Sequence, residues 1–360
     1  MSEDIYQRLR KAVARNSAIF LATASGSEIK FLKKLFTVEE AELYLHLTEK
    51  LETPGRIAQR ANQDPETVAA TLKRMAERGL VFPKRDGQKN YYAAAAFAHG
   101  ILEHQANRMD REFAQIYEQY MWEEKVLEEE PTDPGTQLSY PLRAIPVNAP
   151  VSVSQPIAPY EDVKALIESQ DRIAVANCFC AAHQAVLETG CDRPLEVCLL
   201  LGFYADYYID LGFGRRVTQK EALDILDRSE EAGFVHQFAD SLDPGAICNC
   251  CPDCCGGLRT LKMLPNPAAF AISNHFSKID PGLCDGCQIC VDRCPMDGIS
   301  MTADATANIN MDRCIGCGLC VNSCPTEALM LVSKPESDRR EPPFTSRFMR
   351  SSQEIESTIE

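Results

Sequence analysis

The chain has 360 residues, of which 25% are charged and 45% are hydrophobic, and its formal net charge is −15. This length fits about two or three domains, and the acidic balance disfavours binding to bulk nucleic acid or to an anionic membrane surface. The first residues lack the basic and apolar regions of a secretory signal, and no apolar run approaches the roughly 18 residues of a membrane helix. We therefore expect a cytoplasmic protein with no membrane span.

Residues 1–130 are predicted to form a winged-helix domain with flanking helices. A capping box at Thr37–Glu40 opens one helix, and Thr53–Pro54 and Asp64–Pro65 each place a cap before a first-turn proline. Leu80–Phe82 and Tyr91–Tyr92 then flank a turn and predict a hairpin, the wing. Residues 36 to 94 carry nine basic and nine acidic side chains, a balance that makes DNA binding unlikely and favours a docking or dimerisation role for this domain.

Two segments follow this domain. Residues 131–159 contain seven prolines and are predicted to be a Pro-rich linker that runs as an extended arm. Residues 160–267 are predicted to form a mostly helical, Cys-rich middle domain.

All seventeen cysteines lie between Cys178 and Cys324. In a secreted chain such a number would indicate disulfides, but an odd number in a reducing compartment favours bound metal. The sequence therefore predicts a metal-free front half and a metal-rich back half.

The spacing C-x2-C-x2-C-x3-C-P occurs twice, beginning at Cys284 and again at Cys314, and the flanks Lys278–Asp280 and Asn308–Asn310 repeat with it. This duplication resembles the bacterial-type 2(4Fe–4S) ferredoxins. The resemblance implies a two-cluster ferredoxin-like module at residues 268–333, in which the fourth cysteine of each motif binds the other cluster. One implied ligand set is Cys284, Cys287, Cys290 and Cys324, and the other is Cys314, Cys317, Cys320 and Cys294.

Residues between these cysteines are expected to tune the clusters. Gly286, Gly316 and Gly318 should let backbone amides approach and donate to the sulfurs. Ile289 and Leu319 should shield the clusters from water. A pair of zinc knuckles is the alternative for this module, and two tandem copies with both prolines disfavour it.

The middle domain holds nine cysteines: Cys178, Cys180, Cys191, Cys198, Cys248, Cys250, Cys251, Cys254 and Cys255. The last five would repel one another as thiolates unless a metal neutralised them. Cys250 and Cys251 are adjacent in sequence, as are Cys254 and Cys255. Adjacent side chains project in different directions, so the two members of each pair are expected to serve different sites. We expect at least one further 4Fe–4S cluster, using Cys178 and Cys180 with members of the later run.

Several alternatives stay open for these nine thiols. Eight of them would satisfy two four-coordinate clusters, whereas four would satisfy one and leave a candidate redox-active dithiol. Zinc is the rival metal, since a structural zinc site also accepts four cysteines. Cys198 also fits a small buried hydrophobe. His183 and His236 are interpreted as structural, and nothing in the sequence around His99 indicates a function for it.

Taken whole, the chain resembles winged-helix-containing 4Fe–4S ferredoxin-like proteins of anaerobic bacteria, on Phe31–Ala41, Cys178–Cys180 and Ile247–Cys251. The resemblance implies electron transfer without a defined reaction. The chain is thus predicted to be an α+β multidomain protein that ends in a disordered tail at residues 334–360.

The predicted function is an electron-transfer protein or a subunit of an anaerobic oxidoreductase complex, rather than a stand-alone catalyst. Its expected partners are a low-potential donor and an acceptor oxidoreductase, within a homo- or hetero-oligomer. The alternatives are a redox-sensing winged-helix regulator and an enzyme whose substrate binds an open middle cluster.

Overall fold

The computed structural model describes residues 4–17, 20–126, 142–147, 161–242 and 244–342. Within these ranges no helix combines the length and the apolar character that crossing a membrane requires. Helices and strands are both abundant, which confirms the α+β class.

The N-terminal region is mainly helical. Thr37 and Glu40 form the predicted capping box, with N–H···O distances of 3.2 and 2.9 Å, and Asp64 caps its helix through the Thr67 amide at 2.8 Å. Three helices are followed by an antiparallel hairpin, the order predicted for a winged helix, although that fold assignment stays a prediction. The elements are α1 (Ile5–Arg15), β1 (Ala22–Thr23), α2 (Ser27–Leu35), α3 (Val38–Tyr44), α4 (Pro54–Ala61), α5 (Pro65–Glu77), β2 (Val81–Asp86), β3 (Lys89–Ala94), α6 (Arg111–Trp122) and β4 (Lys125–Val126).

The middle region is built on a six-stranded sheet in which every neighbouring pair is antiparallel. Its strands are β5 (Leu142–Ile145), β6 (Ile173–Asn177), β7 (Glu196–Leu201), β8 (Gly214–Val217), β9 (Val235–Ala239) and β10 (Ala246–Cys250), in the order β5-β9-β10-β7-β6-β8. The accompanying helices are α7 (Val163–Glu168), α8 (Phe179–Val186), α9 (Phe203–Asp210), α10 (Gln219–Glu231) and α11 (Gly256–Met263).

This sheet corrects the prediction of a mostly helical middle domain. The strands have only four to six residues. Most residues of β6 and β7 are buried, so neither strand shows a clear alternation of apolar and polar positions. Periodicity cannot separate such short apolar runs from turns of a buried helix.

Strand β5 corrects the predicted linker. Residues 142–145 form the edge strand of the sheet, and residues 146 and 147 follow that strand. None of them forms an exposed arm. The Ala144 amide donates to Ile272 O at 2.9 Å and the Val147 amide donates to Cys317 O at 3.1 Å. This strand therefore joins the sheet to the C-terminal module. The rest of the predicted linker lies outside the described residues.

The N-terminal and middle regions share one apolar core. The ring centroid of Phe82, on the hairpin, lies 5.9 Å from that of Tyr204 and 5.7 Å from that of Tyr207, both on α9. His104 Nε2 is 2.9 Å from the Tyr207 hydroxyl. One face of the hairpin is therefore committed to contact with the middle region.

The C-terminal module repeats one unit after thirty residues. The first unit is β11 (His275–Ile279), α12 (Ile289–Arg293) and β12 (Ile299–Met301), and the second is β13 (Ala307–Ile309), α13 (Leu319–Asn322) and β14 (Leu329–Ser333). Strand β11 pairs with β14 and β12 pairs with β13. Because each strand pair joins the two units, the cysteine after each short helix is brought to the other unit.

A buried ionic network also fixes this module to the sheet edge. Arg143, which is 0% exposed, donates to Glu161 at 2.9 Å and to Asp240 at 2.8 Å. Arg340 pairs with Asp240 at 3.1 Å, and its amide donates to the Asn274 side chain at 2.8 Å. Residues 334–342 thus make defined contacts, so the predicted disorder does not extend to them, and residues 343–360 lie outside the described residues.

Candidate metal centres

The structure brings together the cysteines of each ligand set that the duplicated motif implies. One cavity in the C-terminal module is lined by Cys284, Cys287, Cys290 and Cys324, together with apolar side chains that include Ile279, Met301 and Leu329. A second cavity is lined by Cys294, Cys314, Cys317 and Cys320, with Met296, Ile299 and Ile315. The residues present therefore fit two four-thiolate clusters.

The two sets differ in burial. Cys287 is exposed, whereas Cys317 and Cys320 are each 8% exposed. Burial raises the pKa of the Cys320 thiol to about 12. Cys290 is also 8% exposed, so the set that begins at Cys284, here called the outer set, reaches the surface at Cys287, whereas the set that begins at Cys314, here called the inner set, contains no exposed cysteine.

The inner set receives several hydrogen bonds at sulfur. The Ser277 amide donates to Cys314 Sγ at 3.4 Å, and the Ser277 hydroxyl lies 3.3 Å from Cys320 Sγ. The Gly298 amide donates to Cys294 Sγ at 3.2 Å. Donors placed at sulfur stabilise its negative charge and are one means by which a protein sets a cluster's potential.

The three glycines near these cysteines all have positive φ, and each is closely packed. A Cβ at Gly316 would lie 2.2 Å from His275 O, one at Gly286 2.6 Å from Ala305 O, and one at Gly318 2.9 Å from a methyl group of Val147. Contacts within the chain therefore already require glycine, and amide donation from these residues to sulfur stays a prediction.

The two apolar side chains expected to shield the clusters are placed differently. Leu319 is fully buried, whereas Ile289 is 44% exposed. Ile289 therefore covers the outer set only in part, and a nonpolar side chain is left at the surface beside it.

Comparison with known proteins assigns the C-terminal module to a family. Residues 276–325 match the family model of the 4Fe-4S dicluster domain. All eight cysteines of the two sets lie within the match. No curated protein and no solved structure matches the chain. The chain therefore ends in a ferredoxin-type dicluster module, which together with its many cysteines suggests an iron–sulfur electron-transfer role.

The nine cysteines of the middle region fall into two groups. The larger, here called the six-thiol group, is a series of neighbouring thiols, each of which interacts electrostatically with the next. Its members, in spatial order, are Cys178, Cys180, Cys255, Cys250, Cys248 and Cys198.

Four elements position the six-thiol group. Cys178 and Cys180 lie at the start of α8, Cys198 lies on β7, and β10 carries Cys248 and Cys250. Cys255 precedes α11. Strands β7 and β10 are neighbours in the sheet, so the fold brings together thiols from distant parts of the sequence.

His99, from the N-terminal region, joins the six-thiol group. Its Nε2 lies 3.4 Å from Cys248 Sγ, a contact between residues 149 apart in the chain. Burial alone would lower the pKa of His99, but the adjacent Cys248 thiolate raises that pKa to about 9. Nothing in the residues around His99 marks it as a ligand, so the sequence did not predict this contact.

The backbone holds His99 in an unusual conformation. Its φ of 46° and ψ of 56° lie in the left-handed region, which costs a residue other than glycine free energy. Phe97 and Ile101 on either side are buried, with Phe97 stacked at 4.3 Å on Phe20. The Gly100 amide donates to Glu103 at 2.8 Å. These anchors direct the imidazole between them toward Cys248.

Cys191, Cys251 and Cys254 form the second group, here called the three-thiol group. Cys191 Sγ lies 3.5 Å from Cys251 Sγ and 3.6 Å from Cys254 Sγ. The thiol of Cys254 lowers the pKa of Cys251 to about 6. The adjacent pairs divide between the groups, since Cys250 and Cys255 face the six-thiol group while Cys251 and Cys254 face this one.

The other histidines of the middle region contact no thiol in the part of the chain that the structure describes. His183 Nε2 lies 2.9 Å from Ala114 O. His236 lies 2.6 Å from Asn249 and 3.0 Å from Glu230. Glu230 also accepts from Asn322 of the dicluster module at 3.3 Å. These contacts give both histidines a structural explanation.

Packed apolar clusters connect the thiol sets. One contains Cys250, Cys255 and Cys317, so it joins the six-thiol group to the inner dicluster set. Another contains Cys290 and Cys320, so it joins the inner dicluster set to the outer one. The three sets therefore follow one another in the order middle, inner, outer.

Proposed function

We propose that this chain is an iron–sulfur electron-transfer protein, or the electron-transfer subunit of an oxidoreductase complex, with one further cluster held by the six-thiol group. The observation that carries the proposal is the continuous packing between this group and both dicluster sets. Clusters bound at the three sites would each accept and release single electrons.

The side chains between the sites determine how well they communicate. Leu258, Met296 and Leu319 are fully buried within the apolar cluster that joins the six-thiol group to the inner set. Dense packing excludes water and keeps the sites at a fixed separation. The chain itself thus supplies a dry, rigid path.

The outer dicluster set marks one end of this path at the surface. Cys287 is exposed, and beside it Leu283 is 52% and Ile289 is 44% exposed. Asp285 and Asp292 lie next to these residues in sequence. We propose that a redox partner with a basic rim and an apolar centre binds here.

The N-terminal region is proposed to serve docking rather than DNA binding. The hairpin already uses Phe82 against α9, and Lys84 lies over the ring of Phe203 at 5.4 Å. A wing held in this way is less free to enter a groove of DNA. A gel shift with the holoprotein at low salt is therefore expected to show no specific complex.

Iron and acid-labile sulfide, measured on the anaerobically purified chain, test the additional cluster. We expect about twelve irons per chain, three clusters of four. Cys255→Ser should lose about four of them, since it removes a central member of the six-thiol group. Thr260→Ala is the matched control, because among the described residues that hydroxyl donates only to Gly256 O of its own helix, 2.9 Å away. Eight irons in the unaltered chain would refute the middle cluster.

The order of transfer is tested by Cys317→Ser, which removes a ligand of the inner set. Freeze-quench EPR measures the rate at which a low-potential ferredoxin reduces the middle cluster. We expect this rate to fall at least about tenfold in the variant. An unchanged rate, with the middle cluster intact, would show that electrons enter the middle cluster by another route.

A further inference from the structure

The three-thiol group differs in spacing from every other set of cysteines. All three sulfurs lie within 4.8 Å of one another, and no other group of three or more Cys, His, Asp or Glu ligand atoms meets that condition among the described residues. Since all seventeen cysteines are described, the comparison covers each of them.

The dicluster module provides an internal reference for cluster spacing. In a cubane each thiolate binds its own iron, so the thiolates stand at separate corners and are held apart by the core. Neither four-cysteine set of the module brings three sulfurs within 4.8 Å of one another. The three-thiol group is therefore too compact to resemble these sites.

A single tetrahedral ion fits the observed spacing. Zinc binds thiolates at about 2.3 Å, which places neighbouring sulfurs about 3.8 Å apart in a tetrahedron. The measured separations of 3.5 and 3.6 Å are close to this value. Thiolates are soft donors that suit zinc as well as iron–sulfur clusters, so the spacing of the sulfurs is what favours zinc here.

Local structure supports a mononuclear site. Cys251 and Cys254 have the C-x2-C spacing of zinc knuckles, and the Cys254 amide donates to Cys251 Sγ at 3.2 Å. Arg193 lies close enough to the Cys251 sulfur to interact with it electrostatically, and it donates to Asp253 at 2.6 Å. Three thiolates around a divalent ion leave one negative charge, which this guanidinium offsets in part because it also pairs with Asp253.

We propose that Cys191, Cys251 and Cys254 bind one zinc ion, distinct from the iron–sulfur clusters. Among the described residues no fourth ligand atom lies within 4.8 Å of all three sulfurs. Cys178 packs against the apolar cluster that contains Cys251 and Cys254 but lies outside that distance, so one coordination position is left to water or to an added ligand. The site goes beyond the electron-transfer proposal and does not require the middle cluster.

Elemental analysis of the full chain, grown with both metals and purified without oxygen, tests this assignment. We expect about one zinc per chain in addition to the iron. X-ray absorption at the zinc edge should show about three sulfurs at about 2.3 Å together with one lighter atom. The absorption measurement needs no variant, so it stands even if a substitution prevents folding.

Two substitutions then separate the sites. Cys254→Ser is expected to reduce zinc at least about tenfold and to leave iron unchanged. Cys290→Ser, in the outer dicluster set, should reduce the iron content and leave the zinc content unchanged. Loss of about four irons from Cys254→Ser, or one mononuclear iron in place of zinc, would overturn the proposal. Loss of the middle cluster in Cys255→Ser bears only on the electron-transfer proposal, so the two can fail separately.

Discussion

The dicluster module and the middle region both gather thiols, but they do so in different ways. In the module each set takes three cysteines from one short loop and the fourth from the other repeat. In the middle region, Cys198 on β7 meets Cys248 on β10, and His99 reaches the same group from the N-terminal region. Each site of the module is thus built mainly from one local loop, and the module contains two such loops. The sites of the middle region, by contrast, cannot form before the sheet has formed.

This difference concerns folding as well as chemistry. The module's thiols depend on tight turns, while the six-thiol group depends on strand pairing and on a neighbouring domain. Substitutions that affect tertiary packing should therefore damage the middle sites first, and substitutions in turns should damage the module first.

The largest expected effect is on the junction between the two regions. Arg143→Met removes the arginine that pairs with the buried Glu161 carboxylate and leaves Asp240 with Arg340 as its remaining arginine partner, and breaking a buried ionic group in this way costs about 3–5 kcal/mol. We expect the free energy of unfolding, measured by denaturant titration of the holoprotein, to fall by that amount.

Arg215→Met is the matched control, since its partners Glu196 and Glu221 are exposed. Exposed pairs are worth less than about 1 kcal/mol. If both substitutions had equally small effects, the buried network would not be what fixes the module to the sheet.

A turn within the module should show a smaller, local effect. Gly316→Ala places a Cβ 2.2 Å from His275 O at a φ of +69°, so strain and overlap together should cost about 3 kcal/mol. We expect iron to fall by about four per chain while zinc is retained. Gly55→Ala, where a Cβ meets no atom within 4 Å, should be neutral or slightly stabilising.

The same contrast explains what could be predicted from sequence. The dicluster sets could be predicted because two residues separate successive ligands of each loop, a spacing that resembles the bacterial-type ferredoxins and implies their ligand sets. Helix starts such as Thr37 and Asp64 were also predictable, since a cap is a local pattern. The edge strand β5, the division of Cys250 from Cys251 and the contact of His99 with Cys248 arise from tertiary structure, and a single sequence does not encode them in any local signal.

The smallest expected effect concerns His99 and the groups that donate hydrogen bonds to sulfur in the two regions. In the dicluster module the donors to sulfur include backbone amides, whereas Cys248 faces an imidazole from another region. His99→Asn retains a residue type that tolerates positive φ but removes the ring at Cys248. A hydrogen bond to a charged group is worth about 1.5–3 kcal/mol, so its loss from the reduced state should lower the one-electron potential of the middle cluster by up to about 65–130 mV. Redox titration followed by EPR measures this shift, with His46→Asn as the control in the same region. An unchanged potential at full iron content would show that the N-terminal region does not tune the middle cluster.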